Sequence, residues 1–279
     1  MGKYRGQHFL IDKNIARKIA NSADLNLQDY VLEIGPGKGI LTEQIFPKVK
    51  KVIAIEIDKK LVQELKEKYS KEIQDDKLEI ICADFLKFDL NSFRTKKIKF
   101  IKIVANIPYY ITGAVLRKIF DFKFWELAVL LLQREVAERL KAKSGSKNYG
   151  LLSILSQVYT RVNVVSYVPR HVFRPIPKVD SAIVCLERLL VPLIDLGNEK
   201  NFFYILHAAF SQRRKILLNT LAHGLNCKKQ VIKKVLEKLG FSPDVRAEQL
   251  SVVEFKRLAL ACRQAGMRFA LQDERKRWS

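Results

Sequence analysis

The chain has 279 residues, and its 51 Lys and Arg against 29 Asp and Glu give a formal net charge of +22. A hydrophobic fraction of 48% excludes a disordered chain, and the length is enough for one large domain or two ordinary ones. So large a positive charge indicates a polyanionic partner, although a host that favours lysine would produce the same excess.

The composition gives no sign of a membrane segment, a metal site or secretion. The longest apolar run, 127–132, is far shorter than the roughly 20 residues that cross a bilayer, and residues 1–9 are too polar for a secretory signal. The four cysteines are scattered and form no CxxC pair. We therefore expect no membrane partner, no metal and a reducing, cytoplasmic location, with the thiols packed as small core residues.

The first two thirds of the chain alternate strand-like and helix-like segments. Asp12 is suited to cap a first helix, in which Ile15, Ile19 and Ala23 recur at helical spacing. Strands are predicted over 30–34, 51–56, 78–81, 100–105 and 127–132, and helices over 58–69 and 112–120. This alternation predicts a parallel, doubly wound α/β sheet, whose ligand binds beyond the carboxyl ends of the strands.

The pattern changes in the last third of the chain. Two further strands are predicted over 162–167 and 182–186, and the segment between them contains three prolines in residues 169–178, which forbid a regular helix and indicate a stiff functional loop. Residues 141–148 are predicted to form a mobile surface loop. From Phe202 the apolar spacing is helical, with breaks at Gly224, Gly240 and Gly266. We predict a larger domain over 1–190, a linker over 191–198 and a smaller all-helical domain over 199–279.

Three successive strand ends carry residues suited to a nucleoside. Gly35, Gly37 and Gly39 follow the first strand, but their G-x-G-x-G spacing differs from the dinucleotide fingerprint G-x-G-x-x-G. Glu56 ends the second strand and can accept both ribose hydroxyl hydrogens, and Asp84 follows the third, where it can accept from an adenine amino group. Either acid alone is better explained as a helix cap or a solvated loop residue. All three in this order favour S-adenosyl-L-methionine.

The fourth predicted strand ends in Asn106-Ile-Pro108-Tyr109. An adenine amino group is a poor nucleophile, because its lone pair is delocalised into the ring. The Asn106 oxygen and a backbone carbonyl can each accept one of its N–H groups and localise that lone pair, while Pro108 fixes the backbone that aims the carbonyls. The Tyr109 ring offers a surface on which the base can stack. The alternative is a simple turn that caps the strand, with Tyr109 as packing.

These motifs give the chain a resemblance to the ribosomal RNA adenine N6-dimethyltransferases, specifically the bacterial KsgA-type enzymes that act on small-subunit rRNA. The resemblance covers nearly the whole chain, and its motifs occur in the expected order. They are Gly6 to Leu10, Val31 to Gly37, Ile55 to Asp58, Asn106 to Tyr109, Gln133 to Val136, Phe173 to Ser181, Ala209 to Lys215 and Arg246 to Ser251.

The resemblance implies a Rossmann-like class I methyltransferase sheet over 1–190 and a basic rRNA-binding domain over 199–279. The cofactor would be S-adenosyl-L-methionine, with a cofactor-binding set of His8, Leu10, Gly35, Gly37, Glu56, Asp84 and Asn106. The catalytic set would be Asn106, Pro108, Tyr109 and Phe173. In this set Phe173 is the second aromatic wall of the adenine slot, opposite Tyr109, whereas the residues alone indicate only a core phenylalanine.

The resemblance also implies the reaction and its partner. The enzyme would transfer two methyl groups to each of two adjacent adenosines in the 3′-terminal hairpin loop of 16S rRNA, within a partly assembled 30S subunit. It would act in the cytoplasm as a monomer without a metal, and its activity would be linked to small-subunit biogenesis. Loop bases are already partly unstacked, so their entry into a pocket is less costly than flipping from a duplex.

The helical region is strongly basic, with 16 Lys and Arg against 6 Asp and Glu in residues 201–279. The family motif assigns Arg213, Arg214 and Lys215 to RNA binding, and their positive charge suits phosphate contacts. The other basic residues there include two lysine pairs, 228–229 and 233–234. Any single one of these lysines is equally well explained as part of a solvated helix face.

Three alternatives remain open from the sequence. Residues 110–112 also resemble the macrolide-resistance relatives that dimethylate one large-subunit adenosine. A second alternative is a non-catalytic nucleic-acid-binding factor that keeps this fold, although the intact Glu56, Asp84, Asn106 and Tyr109 argue against lost chemistry. The third, an NAD-dependent enzyme, is disfavoured by the glycine spacing and by the lack of an evident acid or base for hydride transfer.

Overall fold

The computed structural model describes residues 7–96, 98, 100–194, 199–212 and 215–267. In chain order its strands and helices are β1 (Phe9–Leu10), α1 (Lys13–Ser22), β2 (Tyr30–Ile34), α2 (Thr42–Ile45), β3 (Lys51–Glu56), α3 (Lys59–Lys68), α4 (Ser70–Gln74), β4 (Leu78–Cys82), β5 (Ile101–Asn106), α5 (Thr112–Asp121), β6 (Trp125–Gln133), α6 (Arg134–Lys141), α7 (Leu151–Tyr159), β7 (Thr160–Val168), β8 (Phe173–Arg174), β9 (Ser181–Arg188), α8 (Glu199–Phe210), α9 (Leu217–Gly224), α10 (Lys229–Lys238) and α11 (Val252–Gln264).

Seven strands form one mixed sheet in the order β4-β3-β2-β5-β6-β9-β7. The five strands from β4 to β6 run parallel, and β9 is antiparallel to β6. Each predicted strand is present, with ends within two residues of the expected ones. Because the parallel strands point the same way, the residues that follow β2, β3, β4 and β5 are brought to one edge of the sheet.

The central strands are apolar along nearly their whole length because the sheet is covered on its faces. Residues 128–132 of β6 are completely buried, and residues 103–105 of β5 are too. Helix α1 begins where the sequence predicts, since the Asp12 carboxylate accepts hydrogen bonds from the backbone N–H groups of Asn14 (2.7 Å) and Ile15 (3.1 Å). The helix then buries its apolar side in the core of the sheet.

Some regular elements lie outside the sequence-based prediction. Helices α6 and α7 flank the loop at 142–150. The two-residue strands β1 and β8 pair antiparallel, with Leu10 opposite Phe173 and Phe9 opposite Arg174. This pairing joins the N-terminal segment to the proline-containing loop at 169–178, which contains only a short 3₁₀ turn and β8, as its prolines predict.

The contacts divide the chain into two compact units. The first contains the described residues up to Ala137 together with Arg161–Arg188, and the second contains Glu138–Thr160 together with the described residues from Leu189 onward. This division assigns Glu138–Thr160 to the second unit, which the sequence-based boundaries of 1–190 and 199–279 do not. The predicted linker lies partly outside the described residues.

The second unit is built from helices α7 to α11, which pack on one another. Helices α8 and α9 approach closely at Gly224, where an added Cβ would lie 2.6 Å from the Cβ of Ala208. Helix α9 ends at that glycine, and α10 and α11 each end within two residues of Gly240 and Gly266 respectively, as the sequence predicts. Inside the unit the Tyr149 hydroxyl donates to the Leu250 carbonyl at 2.9 Å.

No helix among the described residues combines the length and the apolar character that crossing a bilayer requires. The same residues contain no cluster of three or more His, Cys, Asp or Glu that could hold a metal ion. Cys185 and Cys262 are buried as predicted, whereas Cys82, at the end of β4, is exposed. The prediction of a core thiol was therefore wrong for Cys82, because the last residue of a strand can point to solvent.

Candidate active site

A cavity of about 250 Å³ lies at the carboxyl ends of β2 to β5 in the first unit. Segments from five places in the chain line it, including the N-terminal segment around β1. The lining includes every residue predicted to contact the cofactor, namely His8, Leu10, Gly35, Gly37, Glu56, Asp84 and Asn106. The structure therefore brings together side chains that lie up to 98 residues apart in sequence.

The glycine loop after β2 forms one wall of this cavity. Gly35 has φ +65°, and an added Cβ would meet no atom within 4 Å, so no neighbouring group covers the backbone there. Gly39 has φ +80°, and its Cβ would lie 2.6 Å from the Tyr69 hydroxyl oxygen. That hydroxyl donates to the Gly39 carbonyl at 2.9 Å. One glycine therefore leaves room in the cavity, and the other allows the loop to pack on α3.

Glu56, at the end of β3, is buried and held by three backbone donors. Its Oε1 accepts from the N–H groups of Ile57 (2.9 Å) and Asp58 (3.0 Å), and its Oε2 accepts from the N–H of Gly37 (3.2 Å). These bonds fix the carboxylate against the glycine loop. The Oε2 atom, with one such bond, can still accept from a ligand hydroxyl.

Asp84, after β4, caps the turn that follows it. Its Oδ1 accepts from the N–H of Leu86 at 2.9 Å, and its carbonyl accepts from the N–H groups of Lys87 and Phe88. Lys118 of α5 braces the same turn, because its Nζ donates to the carbonyls of Leu86 (2.9 Å) and Phe88 (2.5 Å). Burial, the largest influence, lowers the pKa of Lys118.

Glu33 is a third acidic residue at the cavity and is 1% exposed. Burial, the largest influence, raises its pKa to about 8, and the charge of Glu56 adds to the increase. Thr42 lowers the pKa in part. Among the described residues, however, neither carboxylate oxygen of Glu33 has a hydrogen-bond partner of ordinary geometry. The sequence-based interpretation overlooked Glu33, because it lies inside the apolar run of β2.

Asn106 ends β5 at the inner side of the cavity. Its Nδ2 donates to the His8 carbonyl at 3.4 Å, so its side-chain oxygen is not used in that contact. Pro108 has φ −58° and also lines the cavity. The Pro108 carbonyl accepts from the N–H of Ile111 (3.2 Å) and the hydroxyl of Thr112 (3.3 Å). Both lone pairs of that carbonyl are therefore engaged within the motif.

Tyr109 starts a 3₁₀ turn and is anchored at both ends of its side chain. Its hydroxyl lies 2.7 Å from the Oγ of the buried Ser181, and its ring centroid lies 5.4 Å from that of His8. Burial, the largest influence, raises the pKa of Tyr109, so its phenol stays neutral at physiological pH. His8 is in turn held by a 2.7 Å hydrogen bond between its Nδ1 and the Pro175 carbonyl.

The similarity of this chain to known proteins shows its family. A family model described as ribosomal RNA adenine dimethylase matches residues 3–262, nearly the whole chain. The chain belongs to the ribosomal RNA adenine dimethylase family. Relatives named ribosomal RNA small subunit methyltransferase A, from Bacillus cytotoxicus and Bacillus mycoides, are each 40% identical over 266 residues, which cover 93% of this chain and 90% of theirs.

Two solved structures share the fold of this dimethylase. A dimethyladenosine transferase from Plasmodium falciparum has a TM-score of 0.79 at 31% identity and covers 93% of this chain and 99% of its own. The 23S rRNA methyltransferase ErmE has a TM-score of 0.69 at 26% identity and covers 91% and 98%. The predicted Rossmann-like class I methyltransferase fold is confirmed, and so is the prediction of an rRNA adenine dimethyltransferase.

Two residues of the predicted catalytic set, Tyr109 and Phe173, do not line the described cavity. Tyr109 lies beside it, next to His8, which does line it. Phe173 is 0% exposed and packs in the core of the first unit, and it does not line the described cavity. Leu10, its partner in the β1–β8 pair, belongs to the same buried core. The role of Phe173 as an aromatic wall stays a prediction that requires the ring to be uncovered. His8 is the ring that faces Tyr109 in this structure.

Two of the three predicted RNA-binding residues, Arg213 and Arg214, lie outside the described residues. Lys215 is described and exposed. Its backbone N–H donates to the Gln212 carbonyl at 3.1 Å. The sequence-based interpretation also gave no role to Tyr110, which lines the cavity with 67% of its surface exposed. Its position next to Tyr109 in the motif was the signal that could have drawn attention to it.

Proposed function

We propose that this dimethylase uses S-adenosyl-L-methionine to dimethylate N6 of two adjacent adenosines in the 3′-terminal hairpin loop of 16S rRNA. The observation that carries the proposal is one cavity lined by all seven predicted cofactor residues, with Asn106 at its inner side. The 40% identical relatives named for the small subunit support 16S rRNA as the target.

The cavity suits this cofactor chemically. Glu56 can accept from ribose hydroxyls and Asp84 from the adenine amino group, while the bare backbone at Gly35 allows close approach. Glu56 and Asp84 give the cavity carboxylate groups, which attract a ligand that carries a sulfonium and an ammonium group. S-adenosyl-L-methionine, when bound, supplies an electrophilic methyl group. The residues around it hold and aim the acceptor.

Asn106 orients the amino group that accepts the methyl group. Its oxygen accepts one N–H of the adenine amine, and a backbone carbonyl of the motif accepts the other. The Pro108 carbonyl is already engaged twice, which points to the Ile107 carbonyl as the second acceptor. These bonds localise the nitrogen lone pair toward the methyl donor, and the methylated nitrogen then loses a proton to water. Tyr109 supplies the stacking surface.

The proposal extends to the partner and the place of action. We infer that the substrate is 16S rRNA within a partly assembled 30S subunit, met in the cytoplasm by a monomer without a bound metal, and that methylation accompanies small-subunit biogenesis. The RNA contacts of the helical region would involve Arg213, Arg214 and Lys215. The excess of basic residues over 201–279 supports such contacts.

The test is methyl transfer from labelled S-adenosyl-L-methionine to unmethylated 30S particles by the wild type and Asn106→Ala. We expect label in 16S adenines, and a kcat for the variant lower by about 10²–10³, the usual loss when one preorganised polar group is removed from a reacting centre. Asn91→Ala, which alters an exposed asparagine in a surface turn, is the control. Equal label with Asn106→Ala, or label only in 23S rRNA, would overturn the proposal.

A further inference from the structure

The proline-containing loop of the first unit carries a basic surface. Residues 167–179 contain Arg170, His171, Arg174 and Lys178 and no Asp or Glu, and all four of these side chains are exposed. This surface belongs to the catalytic unit, whereas the motif assigned to RNA binding lies in the helical region.

Hydrogen bonds inside the loop hold its arginines in place. The Nη1 atom of Arg174 donates to the carbonyls of both His171 and Phe173, each at 2.9 Å. Arg170 donates through Nη1 to the Lys178 carbonyl at 3.3 Å. A guanidinium has five N–H donors, so each arginine keeps donors for a ligand while its position is already fixed.

Arg134, at the start of α6, extends the same surface. Its guanidinium lies over the Tyr167 ring, 4.6 Å from the centroid. Its backbone N–H donates to the Asp180 carbonyl at 3.0 Å, and the Asp180 carboxylate accepts from the backbone N–H of Arg170 at 3.0 Å. Asp180 is half-buried, and the neighbouring Glu135 is exposed. One half-buried and one exposed carboxylate therefore accompany four arginine and lysine side chains and His171 at this surface.

This surface adjoins the site of methyl transfer. Ser181, directly after Asp180, binds the Tyr109 hydroxyl at 2.7 Å. The Pro175 carbonyl, inside the loop, lies 2.7 Å from the Nδ1 of His8, which lines the cavity. The loop is thus hydrogen-bonded to the cavity wall, and the residue after Asp180 is hydrogen-bonded to the stacking residue, so the surface lies beside the place where a target base enters.

We propose that Arg134, Arg170, Arg174 and Lys178, here called the proline-loop rim, bind phosphates of the RNA strand that flanks the adenosine being methylated. The inference rests on the proposed function and adds an RNA contact in the catalytic unit. A base that enters the cavity brings its flanking phosphates to the mouth, where prepositioned guanidinium groups bind them in bidentate fashion. The rim therefore positions the strand and carries no sequence information.

The test measures binding of the full chain to unmethylated 30S particles by co-sedimentation at 50, 100 and 200 mM KCl. The rim variant is Arg170→Ala with Arg174→Ala. The charge-keeping variant is Arg170→Lys with Arg174→Lys. The matched control removes two exposed lysines near β4, at the opposite edge of the sheet, Lys66→Ala with Lys71→Ala. The KM for S-adenosyl-L-methionine is measured for each protein and reports an intact cofactor site.

We expect the rim variant to bind more weakly at 50 mM KCl and to lose less affinity as salt rises. Each lost phosphate contact lowers the slope of log K against log salt by about 0.7–0.9, so the loss between 50 and 200 mM becomes about tenfold smaller for two contacts. The lysine variant keeps most of the wild-type slope, and the KM for the cofactor is unchanged. Wild-type slope and affinity in the rim variant, with adenine methylation intact, would overturn only this inference. No adenine label from the wild type would defeat the proposed function, and this inference with it.

Discussion

The ring and the hydroxyl of Tyr109 have separable roles. The hydroxyl binds the buried Ser181 at 2.7 Å, and the ring lies next to His8, which lines the cavity. Tyr109→Phe leaves the Ser181 hydroxyl unpaired, so we expect a loss of about 1–3 kcal/mol in unfolding free energy with kcat/KM nearly kept. Tyr109→Ala also removes the stacking surface, worth about 1–3 kcal/mol, and kcat/KM for 30S particles should fall roughly 5- to 150-fold.

The measurements for Tyr109 are urea unfolding and steady-state methylation with each variant. The neighbouring Tyr110 provides the matched aromatic control, Tyr110→Phe, which keeps a ring at the cavity mouth and should behave as the wild type in both measurements. A Tyr109→Phe protein as inactive as Tyr109→Ala would show that the hydroxyl, and not the ring, serves the reaction.

Glu33 makes stability depend on pH. Its pKa is about 8 in the folded protein because of burial, against an ordinary value of 4.5. Between these pH values the folded state holds the extra proton, so unfolding free energy falls as pH rises, by roughly 1.4 kcal/mol per pH unit. Glu33→Gln removes this dependence. Relative to the wild type, the variant should gain stability steadily from pH 5 to pH 8 in urea titrations.

The control for Glu33 is Glu67→Gln, at an exposed glutamate of α3. It should leave the pH dependence as in the wild type. Parallel stability curves for the wild type and Glu33→Gln across this interval would mean that Glu33 is already ionised in the folded protein.

Among single residues, the sequence predicts those site residues that lie at the ends of strands. Glu56, Asp84 and Asn106 each follow an apolar run, so topology alone places them together. Glu33 could not be predicted as a site residue, because a charged residue inside a strand does not show which face it occupies until the sheet is assembled. Phe173 shows the opposite case, because the residues alone indicate a core phenylalanine, and the ring is buried in the core, whereas the resemblance assigns it to the adenine slot.

Helix α5 braces the turn that carries Asp84. Lys118 donates to the carbonyls of Leu86 and Phe88, and hydrogen bonds from a charged donor contribute about 1.5–3 kcal/mol. Lys118→Met should therefore loosen the adenine side of the cavity and raise the KM for S-adenosyl-L-methionine about tenfold, the factor that corresponds to about 1.4 kcal/mol. The KM for 30S particles should change little, since no rim residue is altered.

Steady-state kinetics with each substrate varied in turn checks this split for Lys118. Lys123→Met, at an exposed lysine just after α5, should behave as the wild type, and Lys118→Arg, which keeps a cation, should recover part of the cofactor KM. A rise in both KM values, or in neither, would contradict a positioning role for Lys118.

Helices and strands are predicted correctly from the sequence where one of their faces is polar, or where residues that interrupt regular structure stand at both ends of a strand. The predicted strands and helices α1, α3 and α5 fit one of these descriptions. Helix α7 is apolar along most of Leu151–Tyr159 and has six buried residues, so its periodicity is lost. The two-residue strands β1 and β8 are too short to show any pattern, although they join the cavity wall to the proline-loop rim.

In the whole molecule, the change of pattern in the sequence marks one boundary, whereas the chain passes between the two units three times, after residues 137, 160 and 188. Glu138–Thr160 groups with the C-terminal residues, although it lies within the predicted first domain. A change in apolar spacing near residue 191 cannot reveal the two earlier crossings. The boundaries predicted at 190 and 199 stay a prediction.

The side chains behind the net charge of +22 can now be assigned to regions of the structure. Acidic and amide side chains line the cofactor cavity, while exposed cations occur in the helical region and on the proline-loop rim. We therefore expect RNA binding to depend on salt through both regions, and methyl transfer itself to depend on a few uncharged or acidic residues.

We expect adenine methylation to take place in the cavity that Asn106 lines. The most direct measurement is mass spectrometric mapping of methylated nucleotides in rRNA from 30S particles incubated with the wild type and S-adenosyl-L-methionine. We expect N6-dimethyladenosine at two adjacent positions of the 3′-terminal hairpin loop of 16S rRNA, and almost none with Asn106→Ala. Methylation at any other nucleotide, or none with the wild type, would contradict it.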